Sequence, residues 1–201
     1  LVRALLSTRV GSSAASDWYK RQGNHGHIEI SKMLTVQGAP GNSPSVLDAQ
    51  HLGPPSITIA ADSHRIFTVT GAVEVTLQNL TLKRGKDTME PGIPHGRGGG
   101  IWALATANLT LINVTVEDCI TKTQGGGIQY YYDPLTGGGR LTMINCTIKD
   151  NTVQKDGNIN ASSTGGGISL PWCAYTAVID GCTITGNKID MSTNAAPEPL
   201  Q

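Results

Sequence analysis

Chemistry in this chain would have to come from a few acidic, aromatic and sulfur-bearing positions. Asp118 and Asp150 stand 32 residues apart at matching places in two similar segments, with Arg84 and Arg140 as the cations nearest in pattern. Two carboxylates brought within one strand spacing could move protons or hold a hard cation, and they are also what a hydrophilic turn supplies. Tyr130, Tyr131 and Tyr132, with Trp102 and Trp172, could offer rings on which a sugar stacks, although strand alternation sends some of those rings inward. His25 and His27 lie two apart without a third ligand nearby, so no metal is expected, nor any cofactor.

Four cysteines, Cys119, Cys146, Cys173 and Cys182, form no CxxC pair. Cys146 and Cys182 share one inward column and fit either a disulfide or stacked thiols. Sequons begin at Asn79, Asn108, Asn113, Asn145 and Asn160. Asn79, Asn113 and Asn145 share a column, where three glycans one strand spacing apart would collide. An internal asparagine ladder is the structural reading for those three, which leaves Asn160 and then Asn108 as glycan acceptors.

These columns come from an internal repeat. VTLQNLTLKRG from Val75, LTLINVTVEDC from Leu109, LTMINCTIKDN from Leu141 and AVIDGCTITGN from Ala177 align without gaps. Columns one and three are apolar, and so are columns six and eight. Inward parity therefore switches from odd to even, which a straight strand cannot do, so the chain must turn at the column of Asn79, Asn113, Asn145 and Gly181. A GGGI opening precedes three of the segments and adds another strand, making about three short strands per repeat. Hairpin signals between matched strands are mostly missing, which argues against an antiparallel sandwich. A solenoid of parallel coils is the expected fold.

Column seven holds Thr81, Thr115, Thr147 and Thr183, all outward, an array that could meet ice or a crystalline polysaccharide. Column nine reads Lys83, Glu117, Lys149 and Thr185, so opposite charges should pair from coil to coil. The excursions Lys86 to Arg97, Tyr130 to Gly139 and Thr152 to Thr164 are expected to be loops on one flank.

The run from Ser56 to Asn187, with its GGGI and LTLxNxT segments, resembles the right-handed parallel β-helix repeats of the pectin-lyase-like superfamily, especially those of bacterial and algal surface proteins. It is distantly similar to chlamydial polymorphic outer-membrane proteins, which share a GGxI motif but whose FxxN motif does not occur here. The resemblance implies an all-β right-handed parallel β-helix with a short N-terminal capping helix, which would fall at Leu1 to Leu6. Residues 1–55 are then the cap and an irregular first coil, 56–187 the coils, and 188–201 a tail beyond which further coils are expected. It also implies a choice of function, since that superfamily includes lyases and hydrolases with Asp clusters in a groove, and also adhesins and inert shafts.

Composition narrows the choice. Fifteen basic residues balance fifteen acidic ones, so there is no field to collect nucleic acid or anionic lipid, and no apolar run reaches membrane-spanning length. The expected role is a non-enzymatic structural or adhesive module, extracellular or on a cell surface. Further coils, other chains of a surface assembly, or carbohydrate are its expected partners. A polysaccharide lyase or glycoside hydrolase is the alternative, and an ice- or crystal-binding solenoid a second one.

Overall fold

Short runs of alternating apolar and β-branched residues broken by Asn, Asp and Gly can only make short strands, and short strands are stable when a neighbour lies on each side. The computed structural model describes residues 28–38, 44–49, 65–87, 96–104, 106–131, 138–154, 164–171 and 177–190, and in these the strands stack as successive coils. The first coil holds β1 (Ile28–Ile30), β2 (Leu34–Gln37) and β3 (Ser45–Asp48). The second holds β4 (Phe67–Val69), β5 (Glu74–Lys83) and β6 (Lys86–Asp87), and the third β7 (Ile101–Leu104), β8 (Asn108–Glu117) and β9 (Ile120–Thr121). The fourth holds β10 (Ile128–Tyr131), β11 (Leu141–Ile144), β12 (Thr147–Lys149) and β13 (Thr152–Gln154). The fifth holds β14 (Ile168–Ser169), β15 (Ala177–Asp180), β16 (Thr183–Thr185) and β17 (Lys188–Asp190).

Every pairing is parallel and joins one coil to the next. Three sheets result: β1-β4-β7-β10-β14; a long bent sheet centred on β5 and β8; and β17-β13-β9-β6. The bent sheet keeps the repeat in register, with Leu77 on Leu111, Leu111 on Met143 and Met143 on Ile179. Leu77, Leu80, Leu82, Leu111, Val114, Val116, Met143 and Ile148 are fully buried and form the central column of the core. The fold is all-β, with no helix among the described residues. The expected capping helix at Leu1 to Leu6 lies outside them.

Corners explain the parity switch. Asn79, Asn113 and Asn145 have φ of 54°, 51° and 52°, and Gly181 continues the column at 60°. This left-handed conformation costs Asn and Asp least among residues with a side chain. A second left-handed corner follows at column ten, with φ of 54° at Arg84, 54° at Asp118, 55° at Asp150 and 65° at Gly186. It admits the third sheet, so a repeat has one strand more than its sequence pattern predicts. The excursions expected from Lys86 and from Thr152 accordingly begin as strands β6 and β13, and β17 carries the ladder past residue 187.

The glycine triplet makes the third corner. Gly125 has φ of 61°, a Cβ on Gly126 would overlap the carbonyl oxygen of Gly166, and one on Gly127 would sit 2.9 Å from Cγ of Asn151. The chain turns at the first glycine, the next coil lies on the second, and an inward asparagine packs against the third.

Candidate functional site

Asp118 and Asp150 do stack in one column, but as the residues that turn the chain into the third sheet. Asp118 lies half-buried with Oδ2 3.5 Å from Nζ of Lys83, and Asp150 is exposed. Beside them runs a charge ladder. Glu117 lies between Lys83 at 3.2 Å and Lys149 at 2.8 Å. Hydrogen bonds from Lys149 hold its carboxyl below the ordinary carboxylate range, against a smaller opposing effect of burial, with Lys83 adding to the depression. The same contacts, led by the hydrogen bond to Glu117, raise both lysines. At the same corner of the second coil, Arg84 closes a two-pronged pair on Asp48, with Nε 2.7 Å from Oδ1. Glu117, Lys83, Lys149 and Arg84 are thereby held in their charged forms, and Glu117 is the opposite of a carboxyl poised to exchange a proton near neutrality.

The expected asparagine ladder bonds from coil to coil between Asn113 and Asn79, but it is not internal. Asn113 Nδ2 donates to Oδ1 of Asn79 at 3.1 Å, but this column lies outside the core: Asn79 is half-buried, and Asn113 and Asn145 are exposed. A left-handed corner points its side chain away from the interior. The buried ladder stands at column eleven, which holds asparagine only in its last two rungs, Asn151 and Asn187, after Gly85 and Cys119. Asn151 Oδ1 accepts the backbone N–H of Cys119 at 3.0 Å, and its Nδ2 donates to the Val116 carbonyl at 3.0 Å and to Asn187 Oδ1 at 2.9 Å. Asn187 repeats the pattern one coil on, accepting Asn151 N–H at 3.0 Å and donating to the Ile148 carbonyl at 2.8 Å.

Cys119, Cys146 and Cys182 are free thiols. The backbone N–H of Cys146 points at Sγ of Cys182, 3.3 Å away. Burial pushes the thiol of Cys119 up to about 12 and that of Cys146 up to about 11, so neither is a nucleophile near neutral pH.

The two described tyrosines of the expected aromatic platform point to opposite sides of the sheet. Tyr130 faces inward, buried, and donates its hydroxyl to the Ala107 carbonyl at 2.6 Å, because it shares parity with the core residue Ile128. Tyr131 faces outward, half-buried, with the Arg97 guanidinium 4.6 Å from its ring centre. Tyr132, Asn160, Trp172, Cys173, His25 and His27 lie outside the described residues. Asn108 is exposed at the start of β8.

The outward column of the first sheet is covered, against what strand alternation predicts. Thr68, Trp102, Gln129 and Ser169 stack one per coil, yet are only 6, 5, 0 and 4% exposed. Arg65 lies over the Trp102 ring at 5.5 Å, bonds to Thr68 Oγ1 at 3.2 Å and the Gly98 carbonyl at 3.0 Å, and pairs with buried Asp87. Nε1 of Trp102 and both amide atoms of Gln129 are covered without a hydrogen-bond partner. This flank carries the densest polar and aromatic chemistry among the described residues. Its signal in the sequence was the residue after each GGGI isoleucine, Trp102, Gln129 and Ser169, which alternation alone assigns to solvent.

Residues 56–197 match the family described as right handed beta helix region, and the chain belongs to that family. No curated protein and no solved structure gave a match.

Proposed function

We propose that the chain is a structural or adhesive module of an extracellular or cell-surface protein, which works by presenting its outer faces to a glycan or protein partner and not by catalysis. The observation that carries this reading is the employment of the acidic residues: Asp118 and Asp150 make corners, Glu117 bridges two lysines, and Asp48 and Asp87 neutralise arginines. Tyr131 with Arg97 supports a sugar contact on the first-sheet flank, and exposed Asn108 supports glycan attachment at its sequon.

The test is incubation with a panel of uronic-acid and neutral polysaccharides, following reducing ends and 4,5-unsaturated products. Retention on one of them without new ends or unsaturation is the expected result. Turnover that disappears in Asp118→Asn or Asp150→Asn would make the chain a lyase or hydrolase. Asparagine is at home at a φ near +54°, so the loss could not be put down to unfolding.

One observation favours a crystal-binding surface as a second reading. The threonine column Thr81–Thr115–Thr147–Thr183 has a companion, Thr35–Thr76–Thr110–Thr142, on the other limb of the bent sheet. Two ranks repeating at the strand spacing of about 4.8 Å could match a periodic hydroxylated surface. Thermal hysteresis in the parent that is lost in Thr115→Tyr with Thr147→Tyr would select this reading, and its absence from the parent rejects it.

A further inference from the structure

Two columns of residues face each other across the glycine corner that opens the first sheet. One is Thr68, Trp102, Gln129 and Ser169. The other is Arg97, Gln124 and Thr164, joined from coil to coil by single parallel bridges and standing five residues before Trp102, Gln129 and Ser169 in turn. Thr164 and Ser169 close the space between the columns on one side, with their hydroxyl oxygens 3.0 Å apart. Arg65 closes it on the other, bonding to Thr68 Oγ1 at 3.2 Å and to the carbonyls of Arg97 and Gly98 at 2.8 and 3.0 Å, its charge neutralised by Asp87. Between the two closures stand Arg97 with Trp102, and one rung on Gln124 with Gln129. All four carry covered polar atoms without a hydrogen-bond partner: Nε of Arg97, Nε1 of Trp102, Oε1 of Gln124, and both Oε1 and Nε2 of Gln129. Trp102 and Gln129 are only 5 and 0% exposed. A buried amide that bonds through neither of its atoms is costly, and an apolar side chain of the same size would avoid the cost. Four such side chains on two rungs, about 4.8 Å apart, mark a place where a ligand supplies the partners.

We infer that Arg97, Trp102, Gln124 and Gln129 form a binding site for a single neutral sugar unit, free or at the end of a chain. Arg97 Nε and Trp102 Nε1 only donate and Gln124 Oε1 only accepts, while the Gln129 amide needs both a donor and an acceptor whichever way it is turned. An inorganic anion or a lone carboxylate only accepts, so it leaves the glutamine oxygens unmatched. Neighbouring hydroxyls on a sugar ring each donate and accept, which meets the whole set. Charge is not the organising feature, since Arg65 is cancelled by Asp87 and the Arg97 guanidinium lies against the Tyr131 ring at 4.6 Å. Enclosure sets the size: with Gln129 wholly covered, the site takes one ring and not a polymer running across it. The inference rests on the glycan contact proposed for this flank and narrows it to a sugar class and to these side chains.

Isothermal titration calorimetry of the full chain with glucose, galactose, mannose, N-acetylglucosamine, galacturonate and acetate tests it, alongside the Tm of each variant without sugar. At least one neutral sugar should bind with a Kd at or below about 1 mM, and acetate should not bind. Gln129→Leu removes both unpartnered atoms at nearly constant volume, so it should weaken binding at least about tenfold while keeping or raising the Tm of the sugar-free protein. A glutamine with a merely structural role would lower that Tm. Trp102→Phe, which removes the Nε1 donor, should weaken binding severalfold, and Thr115→Val on the bent sheet should leave it unchanged. Binding of galacturonate or acetate without any neutral sugar overturns the inference, as does sugar binding that survives both Gln129→Leu and Trp102→Phe. A parent that is retained on a polysaccharide yet binds none of the free sugars overturns the site and leaves the wider glycan reading standing. A parent that does neither removes the glycan contact along with the site.

Discussion

Replacing Asn151 by alanine should be among the costliest single polar substitutions in the coils. The side chain is fully buried and makes three contacts: it accepts from Cys119 N–H and donates to Val116 and Asn187. Removing it strands the buried Cys119 N–H, at a cost of about 1–3 kcal/mol, and forfeits two bonds worth about 0.5–1.5 kcal/mol each. A total near 3 kcal/mol is expected, which for a chain of this size lowers Tm by about 6–12 °C. Asn113→Gly is the matched comparison. It loses one exposed bond at 3.1 Å but keeps a φ of 51° that glycine adopts freely, so its cost should stay near or below about 1 kcal/mol. Urea unfolding followed by far-ultraviolet dichroism and by tryptophan fluorescence measures both, and coincidence of the two probes establishes that a single transition is being compared. If Asn113→Gly cost as much as Asn151→Ala, or the latter cost under about 1 kcal/mol, the assignment of the inner ladder to column eleven would be wrong.

Gly127→Ala should destabilise the coils through the Asn151 side chain and be partly relieved by Asn151→Ala in a double-mutant cycle, whereas Gly126→Ala, which meets backbone, should have no such rescue. Glu117 has a depressed folded-state pKa, so its contribution is present above the ordinary carboxylate value of 4.5 and is lost as pH falls through the lower folded value. The difference between urea midpoints at pH 7 and pH 3 should therefore shrink in Glu117→Gln. Native alkylation near pH 8 followed by peptide mapping should label Cys182 well before Cys119 or Cys146, whose thiols are pushed up to about 12 and about 11. Equal labelling of the three would contradict the packing of the column.

Much of the fold was legible because parallel coils write their geometry into columns. Leu77, Leu111, Met143 and Ile179 could be placed over one another from alternation and repeat length alone, and the parity switch located the first corner at its asparagines. The second corner was legible only as the hydrophilic turn suggested by Asp118 and Asp150, because Arg84 and Gly186 share their backbone conformation but not their side-chain chemistry, and the strands after it have only two or three residues, too few for a period to show. The buried ladder was missed for a related reason, although the column of Asn79 and Asn113 does bond from coil to coil. Three identical asparagines signalled the exposed column, whereas the buried one reads Gly85, Cys119, Asn151 and Asn187. Nor could alternation reveal that Trp102 and Gln129 are covered on an outward face, since Arg65, which lies over Trp102, and its partner Asp87 come from the preceding coil. The charge ladder of Lys83, Glu117 and Lys149 was readable because opposite signs alternate at a constant column.

All of this rests on parallel, in-register stacking of equivalent residues, which long-range nuclear Overhauser effects between backbone protons test most directly. Thr110, Leu111 and Ile112 should show cross-peaks in the same order to Thr142, Met143 and Ile144, and those in turn to Val178, Ile179 and Asp180. Cross-peaks running in the reverse order, or none linking Leu111 to Met143, would contradict the coil and every column derived from it.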